Sequence, residues 1–300
     1  MKYQSINNCP ICGSSKIKKW LEVKDWSISK ETFEIHQCDD CGFKFTNPIP
    51  TIEQIGEYYK AEEYISHSDT KKGIINWLYH EIRRITIKSK LQLIKNCNTE
   101  KRNLLDIGCG TGYFLESAKK DNWNVEGFEP DDTARKLANQ KLNNSIHQRL
   151  DDIKAEKFDI ITLWHVLEHV HDIDYLFNFL IKKLKAKGKI IIAVPNIESW
   201  DAKYYQQYWA ALDVPRHLYH FQKNNIELLS NKYQLKITKI LPMYFDSFYV
   251  SMMSEKYKNP QQNNIVSSVK GALIGLISNI LAIKKNNYSS LIYILSKNDE

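Results

Sequence analysis

The sequence predicts an α/β protein in which a doubly wound, mostly parallel sheet follows a small cysteine-rich N-terminal domain. Beyond residue 96, short apolar strands alternate with helix-patterned segments of roughly 10 to 15 residues, which is typical of a parallel sheet with helices on both faces. Before residue 50, two Cys-x-x-Cys pairs lie among aromatic and β-branched residues. We therefore expect a first domain over residues 1–50, a helical connector over 51–95, and an α/β domain over 96–300 with a helical insertion near 250–287.

The composition is typical of a globular chain. Its 300 residues are 43% hydrophobic and 26% charged, which allows one large core or two modest ones and excludes collagen-like and disordered chains. The formal net charge of +7 permits an anionic partner, but the lysines are scattered along the chain, so we interpret this charge mainly as a determinant of solubility. Residues 1–9 contain no apolar run, so the sequence shows no secretory signal and predicts a cytoplasmic protein.

Two cysteine pairs of identical spacing predict a metal site in the first domain. Cys9 and Cys12 form one pair, Cys38 and Cys41 form the other, and each pair is followed by a glycine. This pattern is typical of a tight turn that directs two thiolates at one ion. Two such turns fill all four positions of a tetrahedral site, so we expect structural zinc that stabilises a zinc ribbon and takes no part in chemistry.

The remaining elements follow from apolar spacing. After a proline-containing break at residues 47–50, the run 52–93 has apolar residues at helical spacing and predicts helices that join the two domains. The strands of the α/β domain are expected at residues 103–107, 125–129, around 146, 158–163, 189–194, 237–241 and 291–295. The expected helices include 132–141, 176–184 and 224–232.

One apolar segment near the C-terminus has two interpretations. Residues 271–283 are uncharged, but this run is shorter than the roughly 20 residues that a membrane-spanning helix needs. We interpret residues 265–283 as a helix packed on the body of the protein. The alternative is a peripheral membrane contact through the same residues.

A glycine-rich turn predicts an anionic or nucleotide ligand. The apolar strand 103–107 runs into a turn with glycine at positions 108, 110 and 112, and a helix follows. Glycine lets the backbone approach a ligand closely, and a helix N-terminus offers free N–H groups. The segment is not a P-loop, because it lacks Gly-Lys-Ser/Thr. It is not the dinucleotide fingerprint G-x-G-x-x-G either, because the third glycine is not at the required position.

Glu129 ends the next strand, where an acidic side chain can accept both hydroxyls of a ribose. With this acid in place, residues 90–245 resemble a class I S-adenosylmethionine-dependent methyltransferase, which has a Rossmann-like fold. The resemblance implies that the methionine part of the cofactor lies over the turn and that Asp106 supports the turn and the cofactor's amino group. It further implies an adenine contact after the third strand. The implied cofactor-binding residues are Asp106, Gly108, Cys109, Gly110, Gly112, Glu129, Leu150, Asp151 and Trp164, with Asp152 as another adenine candidate.

Histidines follow the fourth and fifth strands, at the sheet edge where such folds bind ligands. His165, Glu168 and His169 have the spacing i, i+3, i+4, so we expect them on one face of a helix. His220 follows the fifth strand. Three interpretations stay open. His165, His169 or His220 could act as a general base or substrate contact, all four residues could hold a second divalent metal, or Glu168 and His169 could merely brace the helix start.

The second-metal interpretation comes from a resemblance to metal-dependent small-RNA 2′-O-methyltransferases and ubiquinone-pathway O-methyltransferases, with His165 in place of a glutamate. The histidines would suit zinc or iron better than magnesium.

The most favoured function is methyl transfer to an oxygen of a small-molecule, sugar-like or nucleotide-sugar acceptor. Residues 216–221 resemble an Arg-His-Leu-x-His-Phe segment of ribbon-preceded bacterial methyltransferases that act on such precursors. One alternative is an RNA methyltransferase that holds nucleic acid with its ribbon and basic surface, in which case binding should weaken steeply with salt. The other is a non-catalytic binding module built on the cofactor fold.

Overall fold

The structure, a computed structural model, describes residues 2–59, 74–97, 101–154 and 157–298, with the backbone alone for residues 74–80. Its strands are β1 (Tyr3–Gln4), β2 (Ile17–Lys24), β3 (Thr32–Cys38), β4 (Lys44–Thr46), β5 (Ile49–Pro50), β6 (Asn103–Ile107), β7 (Asn124–Phe128), β8 (Ile146–His147), β9 (Phe158–Trp164), β10 (Leu184–Pro195), β11 (Tyr219–His220), β12 (Leu235–Pro242) and β13 (Ser290–Lys297). Its α-helices are α1 (Ile74–Lys95), α2 (Tyr113–Lys120), α3 (Asp132–Leu142), α4 (Ile173–Lys183), α5 (Trp200–Tyr205), α6 (Lys223–Lys232), α7 (Asp246–Lys258) and α8 (Asn264–Ala282).

The large sheet has seven strands in the order β12-β13-β10-β9-β6-β7-β8. The five strands from β8 to β10 are parallel, and β13 is antiparallel to both of its neighbours. This arrangement confirms the predicted doubly wound, mostly parallel sheet. The strands expected at 237–241 and 291–295 are β12 and β13, which pair with each other at one edge of the sheet.

The N-terminal sheet includes a strand that is distant in sequence, β11 at residues 219–220. β2, β3 and β4 form an antiparallel sheet, and β11 completes it by pairing with β4. Buried aromatic side chains join the two parts, because the Phe43 ring lies 5.4 Å from that of Phe221 and 5.7 Å from that of Tyr219. One apolar core therefore runs from the ribbon into the large sheet.

The expected connector over residues 51–95 is described only in part. A short 3₁₀ turn covers Ile55–Tyr59, and α1 covers the end of the segment. The expected helices over residues 60–73, and the side chains of the apolar positions up to residue 80, lie outside the described residues.

The segment after β9 is not the helix that its spacing predicts. His165 adopts a left-handed φ of 56°, and a short 3₁₀ turn covers Leu167–His169. The sheet explains the difference, since the backbone N–H of His165 donates to the carbonyl oxygen of Ala193 at 2.9 Å and so extends the pairing with β10. The α-helix starts only at α4, where the Asp172 carboxylate caps the N–H of Tyr175.

Candidate functional site

The glycine turn after β6 is held against the neighbouring strand. Gly108, Gly110 and Gly112 all have positive φ values, of 67°, 54° and 79°. A Cβ on Gly112 would lie 3.0 Å from the Ala138 side chain, so this glycine lets α2 and α3 pack closely. A Cβ on Gly110 would meet no atom within 4 Å, so the turn has open space on that side. The turn therefore presents bare backbone to a ligand at Gly110.

Glu129 lies at the end of β7 beside this open space. The backbone N–H of Gly110 donates to its Oε2 at 2.8 Å, and that of Asp131 donates to its Oε1 at 3.0 Å. Burial raises the pKa of Glu129, while these two N–H groups favour the charged form. Because each carboxylate oxygen can accept a second hydrogen bond, the side chain is oriented and can still accept a pair of hydroxyls.

Asp106, in the strand that leads into the turn, interacts electrostatically with Lys90 of α1. Asp106 is buried and accepts a hydrogen bond from the Thr162 hydroxyl at 2.6 Å. Burial raises the pKa of Asp106 to about 7 and lowers that of Lys90 to about 8, although the two charges attract each other. Both groups thus titrate near neutrality, where a ligand of opposite charge can fix their ionisation.

Trp164 and Cys109 supply the apolar part of this region. The Trp164 ring meets Phe114 edge-on at 5.8 Å, and the Lys90 ammonium lies 4.3 Å from the centre of the Trp164 ring. The Trp164 indole N–H is buried and has no hydrogen-bond partner among the described residues. Burial raises the pKa of the Cys109 thiol far above its usual range, so this cysteine is an apolar wall rather than a nucleophile.

The residues expected to contact adenine follow the third strand of the sheet. Leu150 is buried at the start of a 3₁₀ turn that ends at Asp152, just after β8. The exposed Asp151 carboxylate accepts a hydrogen bond from the Tyr175 hydroxyl at 2.8 Å. Their role in cofactor binding stays a prediction.

His165 lies between two carboxylates. Its Nε2 is 3.0 Å from Asp246 Oδ2, and its Nδ1 is 3.4 Å from Glu168 Oε1. Burial disfavours the charged ring, but Asp246 and Glu168 outweigh this effect and raise the pKa of His165 to about 10. The ring therefore carries a proton at neutral pH and, in this arrangement, has no nitrogen ready to take another.

Glu168 is a buried carboxylate that neighbours two further histidines. It is fully buried, and neither of its oxygens accepts a hydrogen bond from any described residue. The ligand atoms of Glu168, His169 and His217 all lie within 4.8 Å of one another. Nδ1 of His169 meets the carbonyl oxygen of Arg216 at 3.0 Å, and Nδ1 of His217 meets that of Ala211 at 2.8 Å.

Hydrogen bonds to carbonyl oxygens orient both histidine rings. A carbonyl oxygen can only accept, so each Nδ1 carries a proton. Nδ1 of His169 also lies 2.9 Å from the Tyr59 hydroxyl, and Nε2 of His217 lies 3.9 Å from Asp213 Oδ2. Burial, and then the charge of His217, lowers the pKa of His169 to about 4, so His169 stays neutral. Two imidazoles and a buried carboxylate, whose ion pair with His165 is a long 3.4 Å, fit a divalent cation.

The four residues of the predicted second metal site do not share one site, which corrects that prediction. His217 replaces His220 in the cluster, because the backbone of Leu218 is fixed on both sides, donating to the Glu168 carbonyl at 2.8 Å and accepting from Thr46 at 2.9 Å. His220 lies three residues further on, in β11, where its Nε2 is 3.2 Å from the Thr46 hydroxyl. It is buried in the ribbon sheet, and burial lowers its pKa well below the usual value.

The four cysteines of the ribbon come together as predicted. Sγ of Cys9 is 3.5 Å from that of Cys41, Sγ of Cys12 is 3.6 Å from that of Cys38, and all four sulfurs lie within 4.8 Å of one another. Tetrahedral zinc with bonds of about 2.3 Å separates its sulfur ligands by about 3.8 Å, so this group fits zinc. The two turns match in detail, since the N–H of Gly13 and that of Gly42 each donate at 2.9 Å to the carbonyl of the first cysteine.

Sequence reasoning missed Lys90, His217 and Asp246. Lys90 and Asp246 are separated from their partners by long stretches of chain and carry no local motif. His217 was visible in the Arg-His-Leu-x-His-Phe segment, but only the fixed backbone of Leu218 decides which of its two histidines faces Glu168.

The curated relatives that the chain matches are methyltransferases. It is similar to the ubiquinone biosynthesis O-methyltransferase of Rickettsia bellii, with 28% identity over 143 residues, which is 45% of this chain and 60% of the relative. It is also similar to the enzyme of that name from Bartonella tribocorum, with 35% identity over 107 residues, which is 33% of this chain and 43% of the relative. The chain thus spans about half the length of these relatives.

Solved structures with a similar fold include phosphoethanolamine N-methyltransferase 2 of Haemonchus contortus, at 19% identity and a TM-score of 0.46, with 71% of this chain and 53% of that chain covered. An S-adenosylmethionine-dependent methyltransferase of Archaeoglobus fulgidus is similar at 18% identity and a TM-score of 0.48, with 75% and 100% covered. The family model described as a methyltransferase domain matches residues 79–240, more than half of the chain. The chain therefore belongs to the methyltransferase domain family.

Proposed function

We propose that this chain is an S-adenosylmethionine-dependent methyltransferase that methylates an oxygen of a small-molecule acceptor. The observation that carries the proposal is the pairing of an oriented acid with open backbone. Glu129 accepts the N–H of Gly110, and the space in front of Gly110 is free. This binding site suits a cofactor whose ribose hydroxyls donate to the carboxylate and whose remaining part lies over the turn.

The amino-acid end of the cofactor finds a complementary charge pair. Its ammonium suits Asp106 and its carboxylate suits Lys90, and the charges of these two side chains interact. Binding the zwitterion would hold both side chains ionised, although burial disfavours their charged forms. When bound, the cofactor supplies an electrophilic methyl group on a sulfonium, and these residues orient it.

His165 acts as a positioning residue in this proposal rather than as the general base. Its ring is protonated and bound on both sides, by Asp246 and by Glu168. It joins α7, which starts at Asp246, to the end of β9, and so fixes these two elements relative to each other. Precise placement of an acceptor oxygen beside the sulfonium can supply much of the rate in such a transfer.

The cluster of Glu168, His169 and His217 supports divalent-metal binding in this proposal. A metal held there would stabilise the ionised form of an acceptor hydroxyl. The relatives are named as O-methyltransferases of ubiquinone biosynthesis, and this fits an acceptor with ring hydroxyls.

Two measurements test metal binding apart from activity. Metal analysis of the native protein should find one ion more than in Glu168→Gln, because the variant keeps only the ribbon zinc. His217→Ala should lose the same ion, whereas His36→Ala, a ribbon substitution outside both clusters, should keep both. Equal metal content in all four proteins would remove the metal from the proposal and leave methyl transfer to be judged on its own.

The function itself is tested by release of S-adenosylhomocysteine from candidate acceptors. We expect release with low-molecular-weight hydroxylated acceptors, tried as dihydroxybenzoates, prenylated catechols and nucleotide-sugars, and none with tRNA or rRNA. The product should carry an O-methyl group by mass spectrometry. Turnover with RNA alone, or an N-methylated product, would contradict the proposal.

A further inference from the structure

Helix α8 has its large apolar side chains on the outside. Its buried positions are small residues, namely Ser267, Gly271, Gly275, Ser278 and Ala282. Its exposed positions are large and aliphatic, between 41% and 73% exposed, and they are Ile265, Val266, Val269, Leu273, Leu276, Ile277, Ile280 and Leu281, with Ile283 next to the helix end. This is the reverse of a helix that packs an apolar stripe on a soluble core.

The reversal follows from very close packing against α7. A Cβ on Gly271 would lie 2.4 Å from Cα of Met252, and one on Gly275 would lie 2.7 Å from the carbonyl oxygen of Ser247. The two backbones therefore touch through small residues, as helices do inside membranes. Large side chains do not fit between the two backbones at these glycines, so most of the large aliphatic residues of α8 lie on the opposite face, where they are 41% to 73% exposed.

The charges around this face have one sign. Residues 244–285 contain five lysines, at positions 256, 258, 270, 284 and 285, and two acids, Asp246 and Glu255. Asp246 is paired with His165, and the fully buried Glu255 is paired with Lys270 at 2.9 Å. The exposed aromatic residues Tyr244, Phe245 and Tyr249 lie at the start of the hairpin. An aliphatic centre suits the acyl chains of a bilayer, aromatic residues suit its interface, and lysines suit anionic headgroups.

We propose that the α7–α8 hairpin docks this protein on an anionic lipid bilayer, with α8 lying in the plane of the interface. The segment Asn264–Lys285 is long and apolar enough to cross a membrane by length and composition. However, α8 is fixed to the body near its C-terminal end, because the Ser278 hydroxyl donates to Asp201 at 2.6 Å and the Asn279 amide donates to the Tyr244 carbonyl at 2.9 Å. It can therefore present one face to lipid without leaving the protein.

A second copy of the chain is a poorer occupant for this face. In a two-fold dimer the same patch meets itself, so the unpaired lysines of one copy would approach those of the other. Protein interfaces also carry polar groups that pair across the contact, whereas the exposed large residues between positions 273 and 281 of α8 are aliphatic. Anionic lipid headgroups neutralise the lysines, and acyl chains need no hydrogen bonds.

The test is sedimentation of the full chain with vesicles, which does not depend on methyl transfer. Native protein should sediment with vesicles of equal parts phosphatidylcholine and phosphatidylglycerol, and less with phosphatidylcholine alone. The triple variant Leu273→Ser, Leu276→Ser, Ile280→Ser should bind about tenfold more weakly or worse, because it loses buried apolar area in the bilayer. The control variant Ile52→Ser, Ile85→Ser, with exposed residues elsewhere, should bind as the native protein does.

Circular dichroism of each variant checks that the fold is retained, which we expect because the substituted side chains are exposed. Native protein that stays in the supernatant with anionic vesicles would overturn the proposal. So would a stable dimer, seen by light scattering, that the triple variant converts to monomer, since a second copy would then be the occupant.

Discussion

Asp106 and Lys90 place two titrations close to neutral pH at the proposed cofactor seat. Burial raises the pKa of Asp106 to about 7 and lowers that of Lys90 to about 8. The carboxyl group is ionised above its pKa and the ammonium below its own. Both are therefore charged together only in a narrow window between the two values.

We predict that affinity for S-adenosylmethionine peaks in this window. Below pH about 7, protonation of Asp106 removes the partner of the cofactor ammonium. Above pH about 8, loss of the Lys90 proton removes the partner of the cofactor carboxylate. On each side of the window the affinity should fall by up to about tenfold per pH unit. Calorimetry at a series of pH values measures both limbs. Asp106→Asn should flatten the acid limb and Lys90→Met the alkaline limb, whereas Glu126→Gln should leave the profile unchanged. A flat profile in the native protein would contradict this charge assignment.

Some site residues could be predicted from local sequence and others could not. The glycine turn and Glu129 could be predicted because both lie within a short stretch of chain. One strand–turn–helix unit places the turn, and the next strand places Glu129. The four cysteines are readable because the tight turn imposes their spacing. The histidine cluster depends on how β11 is held between the ribbon and Glu168, and no local pattern encodes that tertiary contact.

The contact between α7 and α8 depends on the absence of a side chain at two glycines. At Gly271 an added Cβ would lie 2.4 Å from Cα of Met252, a backbone atom that cannot move aside without shifting the helix. The same contact fixes the outward-facing position of the aliphatic residues. The stability of the hairpin therefore rests on its smallest residues.

We predict that Gly271→Ala destabilises the protein by about 1 to 3 kcal/mol, although alanine is the better helix former. The reason is that overpacking against the α7 backbone outweighs the gain in helix propensity. Urea unfolding followed by circular dichroism measures the change. Leu273→Ala, a truncation on the exposed face of the same helix, should change the free energy of unfolding by less than about 0.5 kcal/mol. Equal stability of the native protein and Gly271→Ala would show that the helices do not touch there.

The strand β11 joins the ribbon sheet to the α/β domain. Loss of the ribbon metal should therefore affect residues beyond the four cysteines. Cys38 ends β3, β3 pairs with β4, and β4 pairs with β11. The strand β11 follows directly after the segment that holds His217 beside Glu168. Unfolding of the ribbon would therefore release one wall of the candidate site.

We predict that removal of the ribbon zinc by a strong chelator raises amide hydrogen exchange both in residues 9–46 and in residues 217–221. Four thiolates bind zinc with roughly 10 to 16 kcal/mol of apparent free energy, so the ribbon cannot hold its fold without the ion. Cys12→Ser should reproduce the effect, and Cys97→Ser, which lies outside the cluster, should not. An increase in amide hydrogen exchange confined to the ribbon would show that the α/β domain alone holds β11 in place.

The order of elements along the α/β domain was predictable because each strand and helix is a local apolar pattern of the right period. Both C-terminal strands were found in this way, and they became the antiparallel edge of the sheet. The expected helix at His165 was wrong because pairing with β10 continues through that residue and overrides its helical spacing. The insertion of β11 into the ribbon sheet was not predicted, since a two-residue strand has no period to detect.

We assign methyl-donor binding to the α/β domain, a structural ion to the ribbon and membrane contact to the α7–α8 hairpin. These assignments are separable, since each depends on different residues. The proposed methyl transfer depends on the first, because it needs the cofactor bound across Gly110 and Glu129.

Calorimetric titration of S-adenosylmethionine into the native protein and into Glu129→Ala measures whether the cofactor binds at this carboxylate. Loss of two charge-assisted hydrogen bonds to the ribose should cost a few kcal/mol, on the order of a hundredfold in affinity. Gly110→Val should weaken binding as severely, because its side chain enters the space that the cofactor needs, and Glu126→Ala on the same strand should bind within a few-fold of the native protein. We predict this contrast, and native affinity in both Glu129→Ala and Gly110→Val would contradict cofactor binding at this site.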